Sequence, residues 1–77
     1  SVLDWSDGVA AVEMRNRFFE GDTLEILSAN DSFGKTFAVA DMRDENGTPV
    51  VDAKLVRQIL KLPCSYPLEK FDILRKV

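Results

Sequence analysis

The sequence predicts an all-β domain, a small barrel of six short strands. Three observations carry that prediction. Apolar and polar residues alternate with a period of two in several segments, as half-buried strands require. Clusters of Gly, Pro, Asn, Asp and Ser punctuate the chain at intervals of about 8–12 residues, the spacing of sandwiches and barrels. A short open sheet would leave edges free to pair with other chains, and closure removes them.

Residues 1–8 read as a linker or lid, with Trp5 over an open end of the core or against a preceding domain. Residues 9–16 read as the first strand: Ala10, Val12 and Met14 share one face, Glu13 and Arg15 the other. Phe18 and Phe19 follow, and Glu20-Gly21-Asp22 then turns the chain. Gly21 takes φ > 0 without strain, and Asp22 can bond the local backbone. Residues 23–28 alternate again, with Leu24 and Ile26 on one side. Residues 29–34 are a turn cluster. Residues 35–42 form the next strand, with Phe37 and Val39 inward.

Asp44-Glu45-Asn46-Gly47 is the clearest turn signal, because Asn and Gly both tolerate positive φ in a tight hairpin. Pro49 places residues 49–53 at an edge or a strand start. Residues 55–62 fit either element: Leu55, Val56, Ile59 and Leu60 have helical spacing, whereas Val56, Leu60 and Leu62 fit a strand. Pro63, Pro67 and the β-rich surroundings favour the strand. Residues 68–70 turn, and residues 71–75 make the last short strand, with Phe71 and Ile73 inward.

Composition narrows the function. A chain of 77 residues and 8.6 kDa is one domain, with 45% hydrophobic and 30% charged residues in a globular balance. A domain this small buries about 60% of its unfolded surface, and one core supplies about 3–5 kcal/mol. There is no histidine, so neither a Ser-His-Asp triad nor a Cys-His pair can form. The single cysteine, Cys64, allows no internal disulfide and no usual structural zinc site, and no cofactor or metal is expected. A net charge of −3 and a pI near 4.8 oppose a basic footprint for nucleic acid. No apolar run approaches the ~20 residues of a membrane span, and no membrane partner is expected. The start shows no signal peptide, and an unpaired thiol fits a reducing cytoplasm. The chain begins at Ser1, as a piece of a longer protein or a processed chain does.

Three groups of residues are candidates for chemistry. Asp41, Asp44, Glu45 and Asp52 flank one hairpin, as a cation site, an acid/base pair or a solvated turn. The calcium-loop reading fails for want of a glutamate at the required distance, and the solvated turn is the simpler account. Cys64 lies between Pro63 and Ser65 with Lys61 the nearest cation in sequence, so a structural thiol fits better than a nucleophile. Arg15, Asn16, Arg17, Phe18 and Phe19 form the candidate binding surface. Two arginines beside two rings can grip phosphate and stack a base. The structural alternative pairs Arg15 and Arg17 with Glu13, Glu25 or an acid on another strand, while Asn16 holds the corner through backbone bonds. The acidic net charge favours that alternative. Lys70, Arg75 and Lys76 form a basic, solvated end. Nothing in these groups builds an active site.

The string Val12-Glu13-Met14-Arg15-Asn16-Arg17-Phe18, followed by Gly21-Asp22-Thr23-Leu24-Glu25-Ile26-Leu27, resembles the C-terminal domain of the collagenase-like peptidase family U32. That domain reads "E-x-R-N-R-F…G-D-x-L-E" in its opening. The resemblance continues through Phe37-Ala38-Val39, the turn Asp44-Glu45-Asn46-Gly47, Pro49-Val50 and the ending Asp72-Ile73-Leu74-Arg75. It spans residues 9–76. The family commonly has glycine before the last Asp, where this chain has Phe71, and a plainer strand before Pro63.

The resemblance implies a single accessory C-terminal domain over residues 1–77, non-catalytic by itself. It implies a barrel similar to the second domain of translation elongation factors. The expected partner is a catalytic N-terminal part of the same parent chain, carrying cysteines this chain lacks. Family members are called collagenase-like peptidases, and some relatives hydroxylate uridine or cytidine in tRNA or ribosomal RNA. Two roles follow: positioning a protein substrate or docking on the catalytic part, or binding tRNA through Arg15, Arg17, Phe18 and Phe19. A self-sufficient protease is a third reading, which the missing histidine and isolated cysteine oppose.

Overall fold

The computed structural model describes residues 1–14, 17–53 and 58–77. Nine strands are formed among them: β1 (Val2–Ser6), β2 (Val9–Glu13), β3 (Phe18–Phe19), β4 (Thr23–Leu27), β5 (Thr36–Ala38), β6 (Arg43–Asp44), β7 (Asp52–Ala53), β8 (Ile59–Pro63) and β9 (Ile73–Lys76). All pairings are antiparallel, in a four-stranded sheet of order β1-β2-β8-β6, a three-stranded sheet of order β5-β4-β9 and the ribbon β3-β7. The all-β class stands. The strands exceed the expected six, and their ladders fall into three sheets rather than one closed ring among the described residues.

Alternation places the core as expected. In β2 and β8, Ala10 lies opposite Leu62 and Val12 opposite Leu60, and all four are buried. In the three-stranded sheet Leu24 pairs with Phe37 and Ile26 with Leu74. These two apolar faces join Val2, Met14, Val39, Met42, Cys64 and Leu68 in one cluster. Backbone bonds stitch the sheets together at the margins. Val2 N–H donates to the Asp72 carbonyl at 2.7 Å, Phe71 N–H to the Val2 carbonyl at 2.8 Å, and Gly21 N–H to the Val39 carbonyl at 2.8 Å.

Four local readings change. Residues 2–6 form a strand of the main sheet, with Val2 fully buried, where a linker or lid was expected. Asp7 and Gly8 make the two-residue turn that pairs Ser6 with Val9, with φ of 52° and 79°. Two positive φ values are what a type I′ hairpin needs, and its twist matches the strands. Trp5 packs partly buried on the core, and its indole N–H donates to the Cys64 carbonyl at 2.9 Å.

The turn at residues 44–48 uses positive φ at Gly47 alone. The Asp44 carboxylate accepts from the N–H groups of Asn46 and Thr48 at 2.9 Å each, so an Asx cap replaces the second left-handed residue.

The ambiguous segment resolves in part. Residues 59–63 are strand, and residues 54–57 lie outside the described residues.

The last strand has the opposite facing to the one expected. Phe71 and Ile73 point outward at 73% and 52% exposure, while Asp72 is buried. The turn before β9 dictates this. The Asp72 carboxylate accepts from Glu69 N–H at 2.8 Å, and the Asp72 carbonyl accepts from Val2 N–H. With Asp72 drawn inward, the period of two turns Leu74 in and Ile73 out. Phe71 sits at φ 75°, in the left-handed region that suits the glycine of the family pattern.

Cys64 is buried, and its thiol donates to the Tyr66 carbonyl at 3.5 Å. Burial pushes its pKa up, against a smaller opposing effect of the Tyr66 bond. A protonated, enclosed thiol is a poor nucleophile. Ellman's reagent is expected to react with the native domain about tenfold or more slowly than with the denatured chain. Equal rates would contradict the structural role.

Candidate binding surface

The predicted surface residues divide. Arg15 and Asn16 lie outside the described residues, whereas Arg17, Phe18 and Phe19 lie within them. Phe18 pairs through its backbone with Ala53, and Phe19 with Asp52, in the β3-β7 ribbon. This register brings the Asp52 carboxylate beside Arg17. Arg17 donates through Nε to Asp52 Oδ1 at 3.0 Å and through the second guanidinium nitrogen to Oδ2 at 2.7 Å. The fork is bidentate, the geometry in which Arg recognises a carboxylate. Asp52 raises the Arg17 pKa, by the hydrogen bond first and by its charge second. The guanidinium also lies 4.9 Å from the centroid of the Phe19 ring.

A second cation completes the group. Lys76, at the end of β9, has its ammonium 5.6 Å from the same ring and 3.3 Å from Asp22 Oδ2. The Asp22 carboxylate accepts from Phe19 N–H at 2.7 Å, closing the turn that carries Gly21. That backbone bond holds the Asp22 pKa below its usual value; desolvation, the next-largest effect, opposes it, and the Lys76 ammonium adds a smaller lowering. Arg75 pairs with Glu25 across the β4–β9 ladder. Arg17, Phe19, Asp22, Asp52 and Lys76 thus form one exposed cluster of two cations, two acids and a ring. Phe19 itself is 38% exposed.

This arrangement favours the structural reading of Arg17, since an acid of another strand holds its fork. The sequence does not group Asp22, Asp52 and Lys76 with it. The signal available was cross-strand pairing, but the three lie in separate turns and strands, and only the registers bring them together.

The lowered Asp22 pKa has a pH consequence. A depressed carboxylate contributes stability that is present above its unfolded pKa and is lost as pH falls through its folded pKa. The wild-type domain is expected to lose stability on acidification more steeply than Asp22→Asn, with the curves converging at the acid end. Thermal melts from neutral to acid pH check this, and parallel curves would contradict it.

Three of the four hairpin carboxylates have partners. Asp41 pairs with Arg43 at 2.9 Å, Asp44 caps its own turn, and Asp52 holds Arg17. Among the described residues no group of three or more His, Cys, Asp or Glu side chains is placed to hold a metal ion. No helix among them is long and apolar enough to cross a membrane.

Fold and surface together define a small all-β domain with a surface cluster in which Arg17 pairs with Asp52 and Lys76 with Asp22. The family model for the peptidase family U32 C-terminal domain matches residues 1–75. The chain belongs to that family. It is similar to the crystal structure of the C-terminal domain of a candidate U32 peptidase from Geobacillus thermoleovorans, at 29% identity and a TM-score of 0.93, covering 99% of this chain and 86% of that one. The selenomethionine variant of that domain matches at 30% identity and a TM-score of 0.89, covering 97% and 93%. No curated protein matches the chain.

Proposed function

We propose that this chain is the non-catalytic accessory domain of a U32-type peptidase, docking on the catalytic part of its parent and positioning substrate there. The family match over residues 1–75 carries the reading. The surface supports it: no histidine exists in the chain, Cys64 is enclosed, and Arg17 is already bound by Asp52. In this reading the three sheets act as one barrel-like shell, similar to the second domain of elongation factors. The parent works in the cytoplasm, where a free thiol persists.

The alternative is a tRNA-binding module of an RNA-hydroxylating parent. Phe19 favours it, being a partly exposed ring flanked by Arg17 and Lys76, a stacking platform between cations. Binding there would compete with Asp52 and Asp22 for the same cations.

One titration separates the two. The domain is added to the separately expressed catalytic part of its parent, and in parallel to labelled bulk tRNA at low and near-physiological salt. Docking predicts saturable binding to the catalytic part and none to tRNA at the higher salt. Binding of tRNA that survives moderate salt and is lost in Arg17→Glu would favour the RNA module instead.

A further inference from the structure

Phe71 is strained, exposed and bonded through its backbone to Val2. Its φ of 75° is a conformation that costs an ordinary L-residue free energy and a glycine almost none. At 73% exposure its ring gains little from burial in return, and the Lys70 ammonium lies 5.3 Å from its centroid. Strain kept at an exposed aromatic is a mark of function rather than of packing. Ile73, two residues on, is 52% exposed on the outward side of β9, opposite Leu27.

Position narrows the partner. Phe71 N–H donates to the Val2 carbonyl at 2.8 Å, and Val2 N–H donates to the Asp72 carbonyl at 2.7 Å. Ser1 nitrogen donates to the Glu13 carbonyl at 2.9 Å, a bond that a peptide N–H makes equally well. Val2 and the Phe71 turn are therefore held together by two backbone bonds, while Ser1 is held to β2 by a third. In a C-terminal domain the parent chain leads in through Val2, which is bonded to Phe71 and Asp72.

We propose that Phe71, with Ile73 beside it, is the anchor by which this domain docks on the catalytic part that precedes it in the parent chain. The proposal rests on the docking reading above and names its surface. Covalent linkage lets a small anchor suffice, because a tethered partner is present at an effective concentration of about millimolar. A large aromatic seated in a pocket is the usual centre of such a contact. The left-handed backbone holds the ring outward, so docking orders little that is not already ordered.

The test uses the intact parent chain. Phe71→benzoylphenylalanine keeps an L-aromatic at the position, and illumination joins it to whatever lies against it. Phe19→benzoylphenylalanine, on the cluster at the far end of β9, is the comparison. A crosslink from position 71 to the catalytic part of the same chain is the expected result. A crosslink to a second copy would overturn the named partner. Crosslinking from position 19 and none from 71 would leave docking standing and place its surface elsewhere. No crosslink from either position would remove this surface, and with the titration above also negative it would remove docking itself.

Phe71→Gly supplies a second, opposed readout. It is expected to raise the melting temperature of the isolated domain while weakening its binding to the catalytic part by about tenfold or more. A variant that raises the melting temperature and binds as before would sink the anchor.

Discussion

Leu60→Ala leaves the domain largely unfolded. Leu60 is fully buried on β8, the strand that lies between β2 and β6, and it faces Val12 across the β2–β8 ladder. Truncating a buried leucine costs about 2–5 kcal/mol, the lost transfer energy together with the cavity left behind. A single core in a chain this short supplies about 3–5 kcal/mol in total. The loss is therefore of the size of the whole stability, and half or more of the molecules are expected to unfold near room temperature. Lys61→Ala, one residue on and on the solvent side, is expected to change stability by less than about 0.5 kcal/mol. Urea titration of both variants checks the pair. Similar midpoints would contradict the burial of this face.

Gly21→Val is the second large effect, and its cause is different. A side chain added at Gly21 meets nothing within 4 Å, so crowding is not the cost. The cost lies in the backbone, which holds φ at 93°. An L-residue loses about 1–2 kcal/mol in the left-handed region, and a β-branched one fares worst. Relaxing φ is no escape, because the turn is tied on both sides. Gly21 N–H bonds the Val39 carbonyl, and Val39 N–H bonds the Asp22 carbonyl, each at 2.8 Å. A loss of about 2 kcal/mol is expected for Gly21→Val and clearly less for Gly21→Asn, which tolerates positive φ better. Equal melting temperatures for the two variants would contradict the backbone explanation.

Sequence alone revealed most of the core and little of the edges. Ala10, Val12, Met14, Leu24, Ile26 and Val39 are buried as their alternation predicts, because period two is a direct consequence of strand geometry. The first hairpin differs from the linker expected there, although Asp7-Gly8 signals a tight turn. Leu3, Asp4, Trp5 and Ser6 do alternate, but the run is short, and a register shift between Val2 and Asp4 puts the buried Val2 out of phase with it. Hydrophobicity alone puts the last strand one residue out of phase. Phe71 and Ile73 are apolar and invite burial, while the buried Asp72 becomes intelligible only through its bonds to Glu69 and Val2. Turn chemistry outranked hydrophobicity at that corner.

The surface cluster was half legible. The expectation that Arg17 pairs with an acid from another strand holds, with Asp52 as the partner. The roles of Asp22 and Lys76 were not readable, since they depend on β9 reaching the β3–β4 turn. The resemblance of the opening string to the U32 C-terminal domain is upheld across residues 1–75. It supplied the family, where residue chemistry alone indicated only a small β domain.

The central claim is that this domain works against the catalytic part of its parent. Amide hydrogen exchange tests it most directly, measured on the same residues in the isolated domain and in the intact parent chain. The account predicts that a contiguous set of amides, including those of residues 69–73, exchanges more slowly in the intact chain, while the core amides of β2 and β8 are unchanged. Exchange that superimposes throughout would show a domain that hangs free of its parent and would contradict the account.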